Sequence, residues 1–419
     1  MFATFKQLFN PKNKDIRRRI LFTFAALFVF KIGTTIVVPG VKLDTNNLKF
    51  LEIVNAMSGG AFENASIFAL GVMPYITASI IVQLLSMDII PYFSELTKQG
   101  GVGRNKLNQI TRVMGIVLAF FQGYVYSLTY IKNGTAVDYI LYSLVLTAGT
   151  ALVMWLGDQI TKKGVGNGTS MVIMAGIITT LPGMFVNLWK ELITKSNGFM
   201  GILTFSVFVI VFLAIIIGVI FEECAERRIP IQYANKSTST LGKQSYIPFK
   251  LNGAGVMPVI FASAVMSIPQ IIAQVVNKAS FSIFVSKYLI YTSTTGFILY
   301  MLLIVGFAYL YTFMQLKPSE LSDNLNKNGG YIPGIRPGDD TVKYIKMILN
   351  RITIVGAVFL AVLAGLPILF SKFSTLKTSI SISGTGLLIV VGVALETYKQ
   401  LESQLVSRTY TKGRKGRRR

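Results

Sequence analysis

Gly59-Gly-Ala-Phe-Glu-Asn-Ala-Ser66 runs without a break into Ile67-Phe-Ala-Leu-Gly-Val-Met-Pro-Tyr-Ile-Thr-Ala-Ser-Ile-Ile-Val-Gln-Leu-Leu85. The second part carries no charge and is long enough to cross a bilayer, which takes about 20 apolar residues. The stretch from Glu52 to Ser66 is small, partly polar and too short to cross. Two readings of it stand. It is an ordinary external loop, or it is a short non-spanning helix at membrane depth, which survives only where protein or a water-filled cavity surrounds it.

Working outward, ten apolar segments have spanning length: about 20–38, 68–86, 112–131, 138–157, 169–189, 199–221, 254–275, 294–316, 350–370 and 384–401. Most connections are short and polar. The two longer ones, 222–253 and 317–349, are rich in Gly, Pro, Lys and Arg. Pro74, Pro258 and Pro367 mark the second, seventh and ninth segments, where neighbouring helices would have to satisfy the freed backbone. Composition agrees with a bilayer as solvent: of 419 residues 52% are apolar and only 14% charged, against about 25% charged in soluble domains. The first apolar run lacks a small-residue cleavage site, so no cleavable signal peptide is expected.

The formal charge of +23 is unusual for so apolar a chain. In a soluble protein it would suggest nucleic acid. An even number of spans puts both termini on one side, and that side holds 31 of the 41 Lys and Arg, against 9 on the other and Lys31 inside the first span. With the acidic residues included, the terminus side carries +18 and the opposite side +4. This bias predicts cytosolic termini.

Much chemistry is excluded. The chain has no His and one Cys, Cys224. Internal disulfides, Cys/His zinc sites, His-ligated haem and Ser-His-Asp triads are ruled out. Within the membrane Lys31 is the clear ionisable residue, while Asp158 and Glu396 sit at span ends. The buried carboxylate or His relay of a proton-coupled solute transporter is missing. Thr161-Lys-Lys-Gly-Val-Gly-Asn-Gly-Thr-Ser170 reads as a turn with a helix cap at Asn167, Thr169 or Ser170, not as a phosphate loop. Two loops, Glu226-Arg-Arg-Ile-Pro-Ile-Gln-Tyr-Ala234 and Tyr331-Ile-Pro-Gly-Ile-Arg-Pro-Gly-Asp-Asp340, present Arg beside Pro. A guanidinium on such a stiff tip suits an acidic protein face or RNA phosphate.

Gly59-Gly-Ala61 with Ser66–Leu85 resembles the plug and second span of the SecY/Sec61-alpha family, the central subunits of Sec protein-conducting channels. Gly164-Val-Gly-Asn-Gly168, Leu251-Asn-Gly-Ala-Gly-Val-Met-Pro-Val-Ile-Phe-Ala-Ser263, Asp323-Asn-Leu325, Tyr331–Gly338 and Gly384-Thr-Gly-Leu-Leu-Ile-Val-Val-Gly-Val-Ala-Leu395 resemble it too, in order along the chain. The resemblance implies an all-α polytopic membrane protein. Ten transmembrane helices would form two inverted five-helix halves around a central hourglass pore with a plug helix. The parts are a cytosolic segment 1–19, an N-terminal half 20–190 with the plug at about 52–66, a C-terminal half 191–401 and a basic cytosolic tail 402–419.

The same resemblance implies the site. The pore ring would be Val72, Ile76, Thr169, Ile173, Ile260 and Ile389. The plug would hold Asn55, Ala56, Met57, Ser58, Gly59, Gly60, Ala61 and Phe62. The lateral gate would run along Thr77, Ile80, Gln83, Asn252, Val256 and Ile260. Arg227, Arg228, Lys250 and Arg336 would dock partners. An apolar ring grips many peptide sequences without binding any tightly, and a narrow one dewets and blocks ions. Taken singly, each of these aliphatics reads as core or lipid-facing packing. At Thr169 the family favours an aliphatic, so either the ring tolerates one hydroxyl bonded back to its helix or the register lies one turn away. The implied function is passage of unfolded secretory polypeptides across the bacterial cytoplasmic membrane, with lateral release of apolar segments into lipid. The implied partners are SecE, usually SecG, the SecA motor ATPase, the ribosome with its rRNA, signal peptides and nascent chains. No cofactor, metal or catalytic residue is expected. The basic tail reads as contacting anionic lipid or solvent rather than rRNA.

Overall fold

A computed structural model describes residues 14–39, 58–62, 64–87, 90–131, 134–190, 193, 198–233, 245–276, 279–290, 293–373 and 379–416. The helices are α1 (Lys14–Gly33), α2 (Met73–Leu85), α3 (Pro91–Lys98), α4 (Gly101–Tyr130), α5 (Ala136–Lys163), α6 (Gly168–Trp189), α7 (Gly198–Cys224), α8 (Met257–Val276), α9 (Ala279–Tyr288), α10 (Thr294–Gln315), α11 (Pro318–Lys327), α12 (Asp339–Phe373) and α13 (Ser379–Gly416). Each of the ten apolar segments overlaps one of them. Among the described residues six helices are long and apolar enough to cross a membrane, and α2 and α8 are shorter apolar helices.

Local chemistry sets the helix ends. The Thr135 backbone N–H donates to Asp138 Oδ2 at 2.8 Å, closing the first turn of α5. Asn167 caps α6 by accepting from the Thr169 N–H at 3.1 Å. Pro74 lies in the first turn of α2, where its missing N–H costs nothing. The second apolar segment is therefore not helical from residue 68. Gly71 sits at φ +53 and the chain turns through Val72 before α2 begins.

The helices pack as two groups. In one, α4 lies against α2 and α5, and α5 against α1 and α6. In the other, α10 lies against α8 and α12, and α13 against α12 and α7. The groups meet where α6 touches α13 and where α2 touches α8. One buried cluster lies wholly in the second group and includes Ile215, Val259, Ile304, Leu360 and Leu388. A larger one fills the first group and takes in Val256, Ile260, Ile389 and Val393 from the second. Large apolar side chains point outward elsewhere, among them Leu21, Phe24 and Phe28 on α1 and Ile210, Ile217 and Phe221 on α7. Such a face belongs in lipid, which needs no polar cover.

The chain is not purely α. The two long connections fold together around a three-stranded antiparallel sheet of β1 (Glu226–Tyr233), β2 (Ser245–Lys250) and β3 (Gly330–Tyr331), in the order β2-β1-β3. Strand alternation buries Ile229 and Ile231 of β1 and Phe249 of β2 against Leu325 of α11, Ile332 and Ile345 of α12. This body has its own core, so Phe249→Ala should cost about 3–5 kcal/mol there. Limited proteolysis between β1 and β2 should accelerate while the membrane helices stay protected. Several boundaries also move: α4 starts at Gly101 rather than 112, α5 runs on to Lys163, α7 runs on to Cys224, α12 starts at Asp339 rather than 350, and α13 continues to Gly416 through most of the expected tail.

Candidate functional site

Five aliphatic side chains of the expected ring belong to the buried cluster that reaches across both helix groups. Val72 precedes α2, Ile76 is on α2, Ile173 on α6, Ile260 on α8 and Ile389 on α13, and all five are buried members of one cluster. None exposes more than 5% of its surface. All five are apolar, so they can oppose water and ions but offer a charged solute no partner. Thr169 is the polar residue of the expected ring. It sits half-buried in the first turn of α6, with its N–H held by the Asn167 cap. Ile177, one turn beyond Ile173, is in the cluster.

The stretch from Ser58 to Val72 packs against this cluster. Apart from Glu63, which lies outside the described residues, it is a run of turns with a bridge at Ser66 and not a helix. Asn55, Ala56 and Met57 of the expected plug lie outside the described residues. Ser58 Oγ accepts from the Phe62 N–H at 3.3 Å. Gly59 and Gly60 have φ of +72 and +83, and a Cβ on Gly59 would press on the α6 backbone at Gly176. Ala61 and Phe62 are buried. Further on, the Val38 N–H donates to the Ala65 carbonyl and the Ile67 N–H to the Ile36 carbonyl, both at 3.0 Å. Gly149 of α5 lets the Ile67 carbonyl come so close that any Cβ would collide with it. All these anchors belong to the first helix group.

The seam between α2 and α8 holds most of the expected gate. Thr77 is buried and bonds back to the Met73 carbonyl at 3.1 Å. Ile80 and Gln83 line a crevice with Leu84, Phe261, Phe307 and Tyr311. Gln83 Nε2 donates to Ser79 Oγ at 2.9 Å, while its buried Oε1 has no partner among the described residues. Val256 and Ile260 reach the ring cluster. Asn252 does not face the seam from a helix: it lies in the turn before α8, where its Nδ2 donates to the Gly255 carbonyl at 2.9 Å.

The basic residues sit on the sheet body. Arg227 and Arg228 are on β1 and Lys250 is on β2, strands where loops were expected, and all three are exposed. Glu226 pairs across the strands with Lys250, and Arg227 with Phe249. Arg228 is partly engaged already: Nη2 meets Glu226 Oε1 at 2.7 Å and the guanidinium lies 4.8 Å over the Tyr246 ring. Arg336 is exposed on the connection between β3 and α12. Its approach is a turn closed by the Ile335 N–H to the Ile332 carbonyl at 3.1 Å, with Pro333 and Gly334 (φ +80) at the centre. Thr341 Oγ1 fixes the Arg336 carbonyl at 2.9 Å.

Two ionisable residues escaped the sequence reading. Glu222 and Glu223 are buried in the last turn of α7, inside a spanning helix rather than at the start of a loop. Lys399 Nζ donates to the Glu223 carbonyl at 2.5 Å, and Glu222 Oε1 has no partner among the described residues. The run Phe221-Glu-Glu-Cys224 directly after an apolar segment was the signal available. Lys31, by contrast, falls in the last turn of α1, where a cation suits the helix dipole.

Fold and site define a multi-pass helical membrane protein with a buried apolar cluster shared between two helix groups. No group of His, Cys, Asp or Glu able to hold a metal occurs among the described residues. The family model described as SecY matches residues 66–398. The protein translocase subunit SecY of Staphylococcus carnosus is 46% identical over the whole of both chains, and that of Bacillus subtilis is 45% identical over 98% of this chain and 99% of its own. The chain belongs to the SecY family. It is a protein-conducting channel and not an enzyme. Among solved structures, one titled as a protein conducting channel has a TM-score of 0.67 at 19% identity, covering 94% of this chain and 93% of its own. Another, canine Sec61 in a ribosome-channel complex from the endoplasmic reticulum, has a TM-score of 0.64 at 19% identity over the same shares.

Proposed function

We propose that the ten apolar helices cross the bacterial cytoplasmic membrane as two five-helix halves, 20–190 and 191–401, with both termini in the cytosol. The bias of Lys and Arg toward one side supports that orientation. Unfolded polypeptide passes between the halves through a ring of Val72, Ile76, Ile173, Ile260 and Ile389. The segment around Ser58–Phe62 seals the resting ring as a plug, and apolar segments leave between α2 and α8. The carrying observation is that aliphatics of α2, α6, α8 and α13 share one buried cluster that reaches across both helix groups. A related SecY structure is titled for a plug domain that stabilizes the closed state and maintains a membrane seal.

SecE and SecG complete the membrane complex. The exposed basic residues of the sheet body, with Arg336 foremost, receive the SecA motor or a ribosome, which supply the driving force. Solved Sec61 and Ssh1 assemblies of the same fold are titled as ribosome complexes, in keeping with this surface. The test is cross-linking of a stalled secretory chain to Ile260→Cys in a Cys224→Ser background, since Cys224 is exposed. An adduct should form only during export. Its absence while export proceeds would remove Ile260 from the path.

A further inference from the structure

The seal segment is held by two kinds of contact. Residues 65–67 are tied to residues 36–38 through the main chain, as described above. The stretch from Ser58 to Phe62 lies N-terminal to that tie and itself contains two glycines with positive φ, Gly59 and Gly60. Its most specific contact reaches across 68 residues: the Tyr130 hydroxyl on α4 donates to the Phe62 carbonyl at 2.6 Å. The Phe62 ring packs edge-on against Tyr126 at 5.0 Å and tilted against Tyr130 at 5.3 Å, and Tyr130 packs on Tyr142 of α5 at 5.8 Å. All four side chains are buried.

We propose that Tyr130 is a positioning residue for the channel seal, a hydroxyl latch on the Phe62 carbonyl that sets how often the resting segment leaves the ring. This deepens the plug reading and rests on it. The donor meets the main chain and not a side chain, so it fixes the path of the segment. The bond is also made to be broken. The Phe62 carbonyl still accepts from the Ala65 N–H at 3.1 Å when Tyr130 lets go, so opening leaves no orphaned acceptor there. A neutral hydrogen bond of this kind shifts an equilibrium by about two- to tenfold, enough to bias a seal without locking it.

The neighbouring tyrosine supplies the control. The Tyr142 hydroxyl is buried and has no hydrogen-bond partner among the described residues. Tyr130→Phe and Tyr142→Phe remove the same atom from the same aromatic cluster, but only the first breaks a bond to the seal. The complete complex with its small membrane subunits, reconstituted in lipid vesicles, is assayed for ion leak without substrate. Tyr130→Phe should leak about two- to tenfold above the unmodified channel. Tyr142→Phe should match the unmodified channel, and a variant lacking residues 56–64 should leak at least as much as Tyr130→Phe. During active export all should conduct alike, because the segment is then displaced in every one. If the deletion leaks and Tyr130→Phe does not, the latch is wrong and the plug reading stands. Equal leak from both Phe variants would also overturn the latch, since ring packing and not the bond would be responsible. If the deletion itself does not leak, the plug reading falls and takes the latch with it.

Discussion

Arg336→Glu is expected to abolish motor-driven export while the protein remains inserted and folded. The local backbone does not depend on the guanidinium. Pro333 and Gly334 make the turn before it, Pro337 follows it, Gly338 has φ +102, and the Thr341 hydroxyl holds its carbonyl. The side chain is exposed, so its replacement should change stability by no more than about 0.5 kcal/mol. Its effect on a docked partner is of another order. Losing one member of a buried charge pair at an interface costs about 2–5 kcal/mol or more, or about thirtyfold to several thousandfold in affinity. Reversal adds repulsion to that loss. ATP-driven uptake of a precursor into vesicles and binding of the motor to those vesicles measure the two consequences. Arg336→Lys keeps the charge but loses the planar fork, and should fall between. Undiminished uptake by Arg336→Glu would remove this residue from the docking surface.

The helices were legible because lipid permits so little else. Backbone polar groups in a bilayer must pair within the segment, so an uncharged run of spanning length is helical almost by necessity. All ten runs overlap helices. Their ends were less legible, since ends depend on short-range chemistry that hydropathy ignores. The start of α12 is written in Pro337-Gly-Asp-Asp340, a turn followed by two carboxylates at a helix N-terminus, yet an apolar count begins about ten residues later. The start of α2 is written in Gly71 and Pro74, while the apolar count begins too early, at 68. The sheet body was half legible. Ile229 and Ile231 alternate with exposed neighbours in β1, a strand signal. Their partners Ile332 and Ile345 lie about a hundred residues on, and nothing local joins them.

The site was legible only through motif register. Ile76, Ile173, Ile260 and Ile389 are four aliphatics among dozens, and pattern alone would leave each as packing. The contact between Tyr130 and Phe62 was beyond reach, because a hydrogen bond to a main-chain carbonyl leaves no trace in residue type at the acceptor. Glu222 and Glu223 were misread for a simpler reason: a charge at the end of an apolar run was assigned to the loop, although the helix carries both into the protein interior.

Ile260→Asp should make the resting channel leak ions at least tenfold faster than the unmodified channel, with a pH dependence that reports the cause. Ile260 is 2% exposed and packed among aliphatics. A carboxyl placed there meets no cation, so burial raises its pKa and favours the neutral form. Once ionised it draws in water, because an unpaired charge costs far more in a dry cavity than in a wet one. A hydrated constriction no longer repels ions by dewetting. The sign follows: leak should be smallest at low pH, where the new carboxyl is protonated, and should rise as pH climbs through its elevated pKa. The unmodified channel has no such group in its ring and should show no step in that window. Ile260→Leu keeps volume and apolarity, a change that costs less than about 1.5 kcal/mol in a core, and should stay tight at every pH. Export through Ile260→Asp should persist, because the ring serves as a gasket and binds no particular sequence. A leak equal to that of Ile260→Leu, flat in pH, would place Ile260 in ordinary packing outside the conducting path.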